Sequence, residues 1–212
     1  MQLLRATDPR SQRYHDTLAI LREAIAPEAQ LPERRFHDLL AAGNYQLFAY
    51  AEGDDVRGVA LVYFSDELQF AWLDYFAIRS ELRGRGLGSD LFREIVQVTS
   101  NQDPKPDWLL FEVDDDYEGD LQREAECKRR VQFYRRLGAR VLENVPYKFP
   151  SAFAEPIRMR LMACPLRSGV SLAANDLKRV VAEIFLNIHG RGNNDDLLRW
   201  FQENLPRTIE MK

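Results

Sequence analysis

Apolar residues recur on one helical face at Tyr14, Leu18, Leu21 and Ile25, behind an Asp8-Pro9 start signal, and predict a first helix. Pro32 predicts the start of a second, carrying Phe36, Leu39 and Leu40. The period then changes. Residues 45–51 and 56–64 read as strands, and the turn residues Gly53, Asp54 and Asp55 between them predict an antiparallel hairpin. Residues 68–78 form a third, aromatic-rich strand that runs into a glycine-rich turn. Beyond it, Leu87, Leu91, Ile95 and Val98 mark a helix. Residues 108–113 read as a buried strand, 121–137 as a helix, 139–142 as a strand and 158–163 as the last strand of the core. This order predicts a mixed α/β sheet with antiparallel early strands. Two amphipathic helices follow, one with Leu177, Val180, Val181, Ile184, Phe185 and Ile188, ending near Gly190. The other is capped at 194–196, carries Leu197, Leu198, Phe201 and Leu205, and stops at Pro206. Helices this short are not stable alone, so they must pack on the core or on another subunit.

Composition narrows the class without naming a function. A chain of 212 residues suits one domain with an appendage, and 45% hydrophobic with 29% charged residues describes an ordinary globular protein. The net charge of −4 argues against nucleic acid as a main partner. No apolar run reaches the length of a membrane span and no signal-peptide core opens the chain, so a cytoplasmic protein without a membrane partner is expected. Cys127 lies in a helical pattern and Cys164 in a strand pattern, as either one disulfide or two idle thiols. His15, His37 and His189 share no ligand spacing, so no metal is expected.

The candidate chemistry begins at the turn after residue 78. Gly84, Gly86 and Gly88 leave the backbone uncovered, and the following helix aims its unpaired first-turn N–H groups and positive dipole end at the same place. Arg83 and Arg85 add formal charge. Together they make an anion seat, suited to a phosphate or pyrophosphate. A P-loop is excluded because no lysine follows these glycines. A dinucleotide fingerprint is disfavoured: its third glycine would fall at Ser89, and the next strand-ending acid, Asp114, lies too far on.

The run Arg83-Gly-Arg-Gly-Leu-Gly88 resembles the Arg/Gln-x-x-Gly-x-Gly/Ala signature of the GNAT superfamily of acyl-CoA-dependent N-acyltransferases. Its lead-in, Asp74-Tyr-Phe-Ala-Ile78, resembles that family's fourth strand. Downstream, Arg130-Val-Gln-Phe-Tyr-Arg-Arg-Leu-Gly-Ala139, followed by Arg140-Val-Leu142, resembles its Phe-Tyr-x-x-x-Gly-Phe helix end and next strand. The resemblance covers residues 1–165 as an N-acetyltransferase domain and leaves 166–212 as a C-terminal helical extension. A cover over the acceptor, a stabilising appendage and a homodimer contact all stay open for that extension. The resemblance implies a mostly antiparallel sheet with splayed, parallel fourth and fifth strands, flanked by helices. It implies acetyl-CoA as co-substrate and no metal. The pyrophosphate would lie on Arg83, Gly84, Arg85, Gly86, Leu87, Gly88 and Ser89, and the pantetheine arm on the backbone of Phe76, Ala77 and Ile78. Ser89 could equally cap its helix.

Transfer of an acyl group to an amine needs a base, donors for the carbonyl oxygen and a proton for the departing thiolate. Tyr134 stands where many relatives carry a proton-donating tyrosine, though its ring could simply pack. Asp74 and Glu112, on the two strands implied to line the gap, are the candidate bases; a water chain is the alternative. Trp72 stands where one branch of the family places a glutamate. Lys128, Arg129 and Arg130 replace an asparagine that often holds the CoA arm, as a phosphate contact or a solvated basic face. Residues 114–126 hold seven acids against one base, to attract a cationic acceptor or to complement a helix start. Trp72, Tyr117, Tyr147 and Phe149 are candidate acceptor-pocket walls. The expected activity is transfer from acetyl-CoA to a primary amine of a small molecule or protein by direct attack in a ternary complex. A non-catalytic acyl-CoA sensor is the rival.

Overall fold

The alternating stretches of the first hundred residues form an antiparallel meander in the order β1, β2, β3, β4, made of Gln2–Arg5, Tyr45–Glu52, Asp55–Phe64 and Phe70–Ile78. The computed structural model describes residues 1–27, 30–115, 121–150, 155–192 and 194–212. The chain divides into two compact units, Met1–Leu109 and Leu110–Lys212. In the first, helices α1 (Gln12–Ala24), α2 (Glu33–Ala42) and α3 (Leu87–Ser100) pack on the meander. This cover explains why β3 reads as a nearly unbroken apolar run from Gly58 to Phe64, buried throughout, rather than as a simple alternation. The predicted hairpin is present, with Gly53 at φ 61° supplying the left-handed turn residue.

Three details differ from the sequence expectation. The four-residue β1, half exposed at the edge of the sheet, carries no legible alternation, so the strand ending at Ile78 is the fourth rather than the third. Helix α1 starts at the N-cap Ser11, whose Oγ accepts from Tyr14 N at 3.2 Å. Asp8 instead holds the preceding turn, accepting from Arg10 N at 2.9 Å, and Ile25 ends the helix as its C-cap. On α3 the buried face is Leu91, Phe92, Ile95 and Thr99, shifted from the predicted stripe that used Leu87 and Val98.

The last strand of this unit is β5 (Trp108–Asp114), which opens here with Trp108 and Leu109. It lies next to β4 and runs parallel to it. The two strands start at the same end, where Asp107 N donates to Gln69 O at 2.9 Å, and α3 makes the crossover. Close packing of α3 depends on Gly58. A Cβ there would fall 2.6 Å from Ile78 Cδ1, 3.0 Å from the Ala77 carbonyl oxygen and 3.2 Å from Leu91 Cδ2.

In the second unit β5 continues beside β8 (Ile157–Pro165), which pairs antiparallel with β6 (Arg140–Val141) and with β7 (Tyr147–Phe149). The chain's final residues add to β6: Val141 N donates to Lys212 O at 2.8 Å, and Lys212 N returns a bond to Val141 O at 3.1 Å. Helix α4 (Leu121–Arg136) ends in a Schellman motif closed by Gly138 at φ 95°. Helix α5 (Ala174–Asn187) buries its predicted apolar stripe, while α6 (Asp196–Asn204) buries Leu198 and Phe201 with Leu197 half-buried, and Asp195 caps α6 through Leu197 N and Leu198 N. Phe201 of α6 meets Tyr147 of β7 edge-on at 6.1 Å. Among the described residues, no helix is long and apolar enough to cross a membrane.

Gly58→Ala is expected to lower stability by about 1–3 kcal/mol through overpacking against backbone and two apolar side chains, read as a lower urea midpoint with an unchanged slope.

Candidate functional site

The glycine turn is built by backbone conformation. After β4 a short 3-10 turn, Ser80–Leu82, leads to Arg83, and Gly84 and Gly86 take φ of 77° and 86° before α3 begins at Leu87. These left-handed values need glycine, and a Cβ at either position would meet nothing, so the turn faces open space. Among the described residues, no backbone carbonyl accepts from the N–H groups of Gly84, Arg85, Gly86, Leu87 or Gly88. Ser89 N and Asp90 N instead close on Gly86 O at 2.9 and 3.2 Å. The result is five open donors at the positive end of a 14-residue helix, a cradle suited to an anion. Asp90 in the first turn is offset by Arg93 at 2.9 Å. Arg83 ties the turn to the strand end, its Nε donating to Ile78 O at 3.2 Å, while Arg85 is exposed. Gly86 is the N-cap, without a side-chain bond, so Ser89 is not the helix cap.

In the same unit, Asp74 occupies a β-bulge. Leu61 pairs with Tyr75 and Val62 with Leu73, leaving Asp74 as the extra residue of β4. Its half-buried carboxylate accepts from the hydroxyl of Tyr45, a fully buried residue opening β2. Burial raises the Asp74 carboxyl to about 6, opposed by that hydrogen bond. Tyr75 accepts from Leu31 N at 3.0 Å. Phe76 meets Phe92 of α3 edge-on at 6.2 Å, and Ala77 and Ile78 are buried. Trp72 is fully buried as a core side chain. Nothing in the sequence near Tyr45 pointed to Asp74, because the bond joins positions 29 apart that only strand pairing brings together.

The second unit holds the other two candidates. Tyr134 is 7% exposed, with its ring 4.6 Å from that of Phe111, so it does pack. Burial raises its phenol well above the ordinary value, with Arg130 opposing and Asp114 reinforcing, so the hydroxyl stays protonated. Its carbonyl accepts from Ala139 N at 3.1 Å, which makes the Tyr134-to-Gly138 spacing that of the Schellman turn. Glu112 is half-buried in β5, between the buried Phe111 and Val113. Lys128 pairs with Glu124 and Arg130 with Asp114, so two of these three basic residues are paired within their own unit. Both cysteines are free and buried, and burial raises the Cys164 thiol to about 11.

The acidic run is largely structural where it is described. Asp115, 8% exposed, is held by Arg158 Nε and Arg160 Nε at 2.6 Å each. Asp116, Tyr117, Glu118 and Asp120 lie outside the described residues. Tyr147 and Phe149 form β7.

The raised Asp74 pKa makes ionisation of the native state unfavourable. This group's contribution to stability is therefore complete below about pH 4 and lost as pH rises through about 6. Asp74→Asn removes that loss. Its melting temperature relative to the natural protein is expected to climb between pH 4 and pH 7, by up to roughly 3 kcal/mol equivalent at about 1.4 kcal/mol per pKa unit. A difference independent of pH would refute the assignment.

Residues 13–116 match the family model described as Acetyltransferase (GNAT) family. No curated protein matches the sequence. Among solved structures, a protein assigned to the GNAT acetyltransferase family from Bacteroides thetaiotaomicron superposes with a TM-score of 0.73 at 20% identity, covering 90% of this chain and 99% of the other. A GNAT acetyltransferase from Elizabethkingia anophelis with acetyl-CoA bound gives 0.52 at 13% identity, over 77% and 97%. An aminoglycoside 6′-N-acetyltransferase complexed with coenzyme A gives 0.58 at 15% identity, over 81% and 100%. These likenesses are of fold, and the match of residues 13–116 to the family model, with the glycine turn inside it, is what ties this chain to the GNAT acetyltransferases.

Proposed function

We propose that this protein is an N-acetyltransferase that moves the acetyl group of acetyl-CoA to a primary amine of a small molecule or protein, by direct attack in a ternary complex. The observation that carries the reading is the run of five open N–H donors from Gly84 to Gly88 at the start of α3. A pyrophosphate carries several acceptor oxygens, and such a cradle meets them without specifying a base or a side chain. Acetyl-CoA, when bound, supplies the activated thioester acyl group. Arg85 and Ser89 would supplement the cradle, Arg83 would hold its shape, and the backbone of Phe76, Ala77 and Ile78 would receive the pantetheine arm.

The protein's own groups suit the proton movements. Tyr134 keeps its proton across the working pH range and is assigned as the donor to the departing thiolate. Asp74, at about 6, is ionised at neutral pH yet more basic than an ordinary aspartate, and is assigned as the base, directly or through water. Glu112 is the second candidate for that role. The buried Cys164 thiol, held protonated by its surroundings, is a poor nucleophile, in keeping with direct transfer. In this reading residues 1–165 are the transferase domain and 166–212 its extension. The free, buried thiols suit a reducing cytoplasm.

The test is release of free CoA thiol from acetyl-CoA across a panel of primary amines. Turnover with at least one amine is expected; acetyl-CoA binding without turnover of any would favour a sensor. Tyr134→Phe should lower kcat at least about tenfold while acetyl-CoA affinity stays within about twofold. Unchanged kcat would remove Tyr134 from the donor role.

A further inference from the structure

A cavity of about 340 Å³ lies wholly within the second unit, walled by β6, β7, β8 and Trp200 of α6. Its apolar surface comes from residues such as Leu142, Val145, Tyr147 and Met159. Its charges are unbalanced: Lys148, Arg158 and Arg160 face two carboxylates, Asp115 and Glu143. Both carboxylates are engaged. Glu143 is bound by Arg135 at 2.8 Å, and Asp115 lies between the two arginines. Arg158 meets Asp115 through Nε at 2.6 Å, and its side chain is 77% exposed, so its guanidinium can be approached by a ligand from solvent. Lys148 Nζ stands 4.5 Å from the centre of the Trp200 ring, and among the described residues no carboxylate pairs with it.

We propose that this cavity is a binding site for a small molecule carrying a carboxylate or phosphate on an apolar body. The arginine fork suits the two oxygens of such a group, and Lys148 adds a second charge from β7. The volume is at the lower end for small-ligand pockets, which limits the ligand to modest size. The site gives β7 and α6 a task beyond packing. It stands independently of the transferase reading.

The test is calorimetric titration of the full chain with 3-phenylpropionate and with phenyl phosphate, against the uncharged 3-phenylpropanol. Saturable one-to-one binding is expected for at least one anion, weakened at least about tenfold in Arg158→Gln and in Lys148→Gln, with no binding of the alcohol. Equal binding of the alcohol, unchanged binding in both variants, or no binding of either anion overturns the proposal. Thermal melting checks the variants, and Lys148→Gln carries the test if loss of an Asp115 partner unfolds the first. Thiol release with phenylalanine against phenethylamine separates the sources of the anion. A preference for phenylalanine that Arg158→Gln abolishes makes the anion part of the acceptor. Altered phenethylamine turnover on adding 3-phenylpropionate makes it a separate effector. Either supports the site. Absence of thiol release would count against the transferase reading alone, because the titration needs no acetyl-CoA.

Discussion

The close approach of α3 to β3 and β4 at Gly58 is the constraint on which the anion seat depends. A helix dipole is useful to a bound anion only when the helix end is held still, and its field falls off within the first turn. Ile78 and Leu91 both come within contact of the space a side chain at residue 58 would fill. One belongs to the end of β4 and the other to the second turn of α3, so the missing Cβ fixes where the strand stops and where the helix starts. Gly84 and Gly86 then bridge the gap in a left-handed conformation, and Arg83 locks it by bonding to Ile78 O.

Burying polar groups shapes the rest of the chemistry. Asp74 and Asp115 both sit in surroundings that disfavour a lone charge, and each is handled differently. Asp74 has one neutral donor, Tyr45, and keeps a raised pKa. Asp115 is paired with two guanidinium groups, which make it a structural anchor. A carboxylate with incomplete compensation is the better candidate for proton transfer, and that contrast favours Asp74 among the acids near strand ends. In Tyr134 a packed ring and a protonated hydroxyl go together, since the burial that packs the ring also keeps the hydroxyl protonated.

Local signals accounted for most elements. The hairpin, α2, α3, β5, α4 and both C-terminal helices follow from periodicity and turn residues, each acting within about a dozen positions. Failures came where local chemistry misled or was thin. Asp8-Pro9 is a good helix start in isolation, yet Ser11 captured the cap. The four residues of β1 and the three of β7 are too short to show a period, and pairing with longer neighbours creates them.

The sequence by itself determined the open backbone donors of the glycine turn. Backbone donors at a helix start need only glycines at set positions, and the Schellman spacing from Tyr134 to Gly138 is likewise a local property of the chain. Tertiary structure alone decided the states of the side chains. The Tyr45 bond to Asp74 spans 29 positions, the Arg160 bond to Asp115 spans 45, and the bulge that frees Asp74 exists only through the register of two strands. Charge state depends on burial and on partners distant in sequence, and no local pattern encodes either.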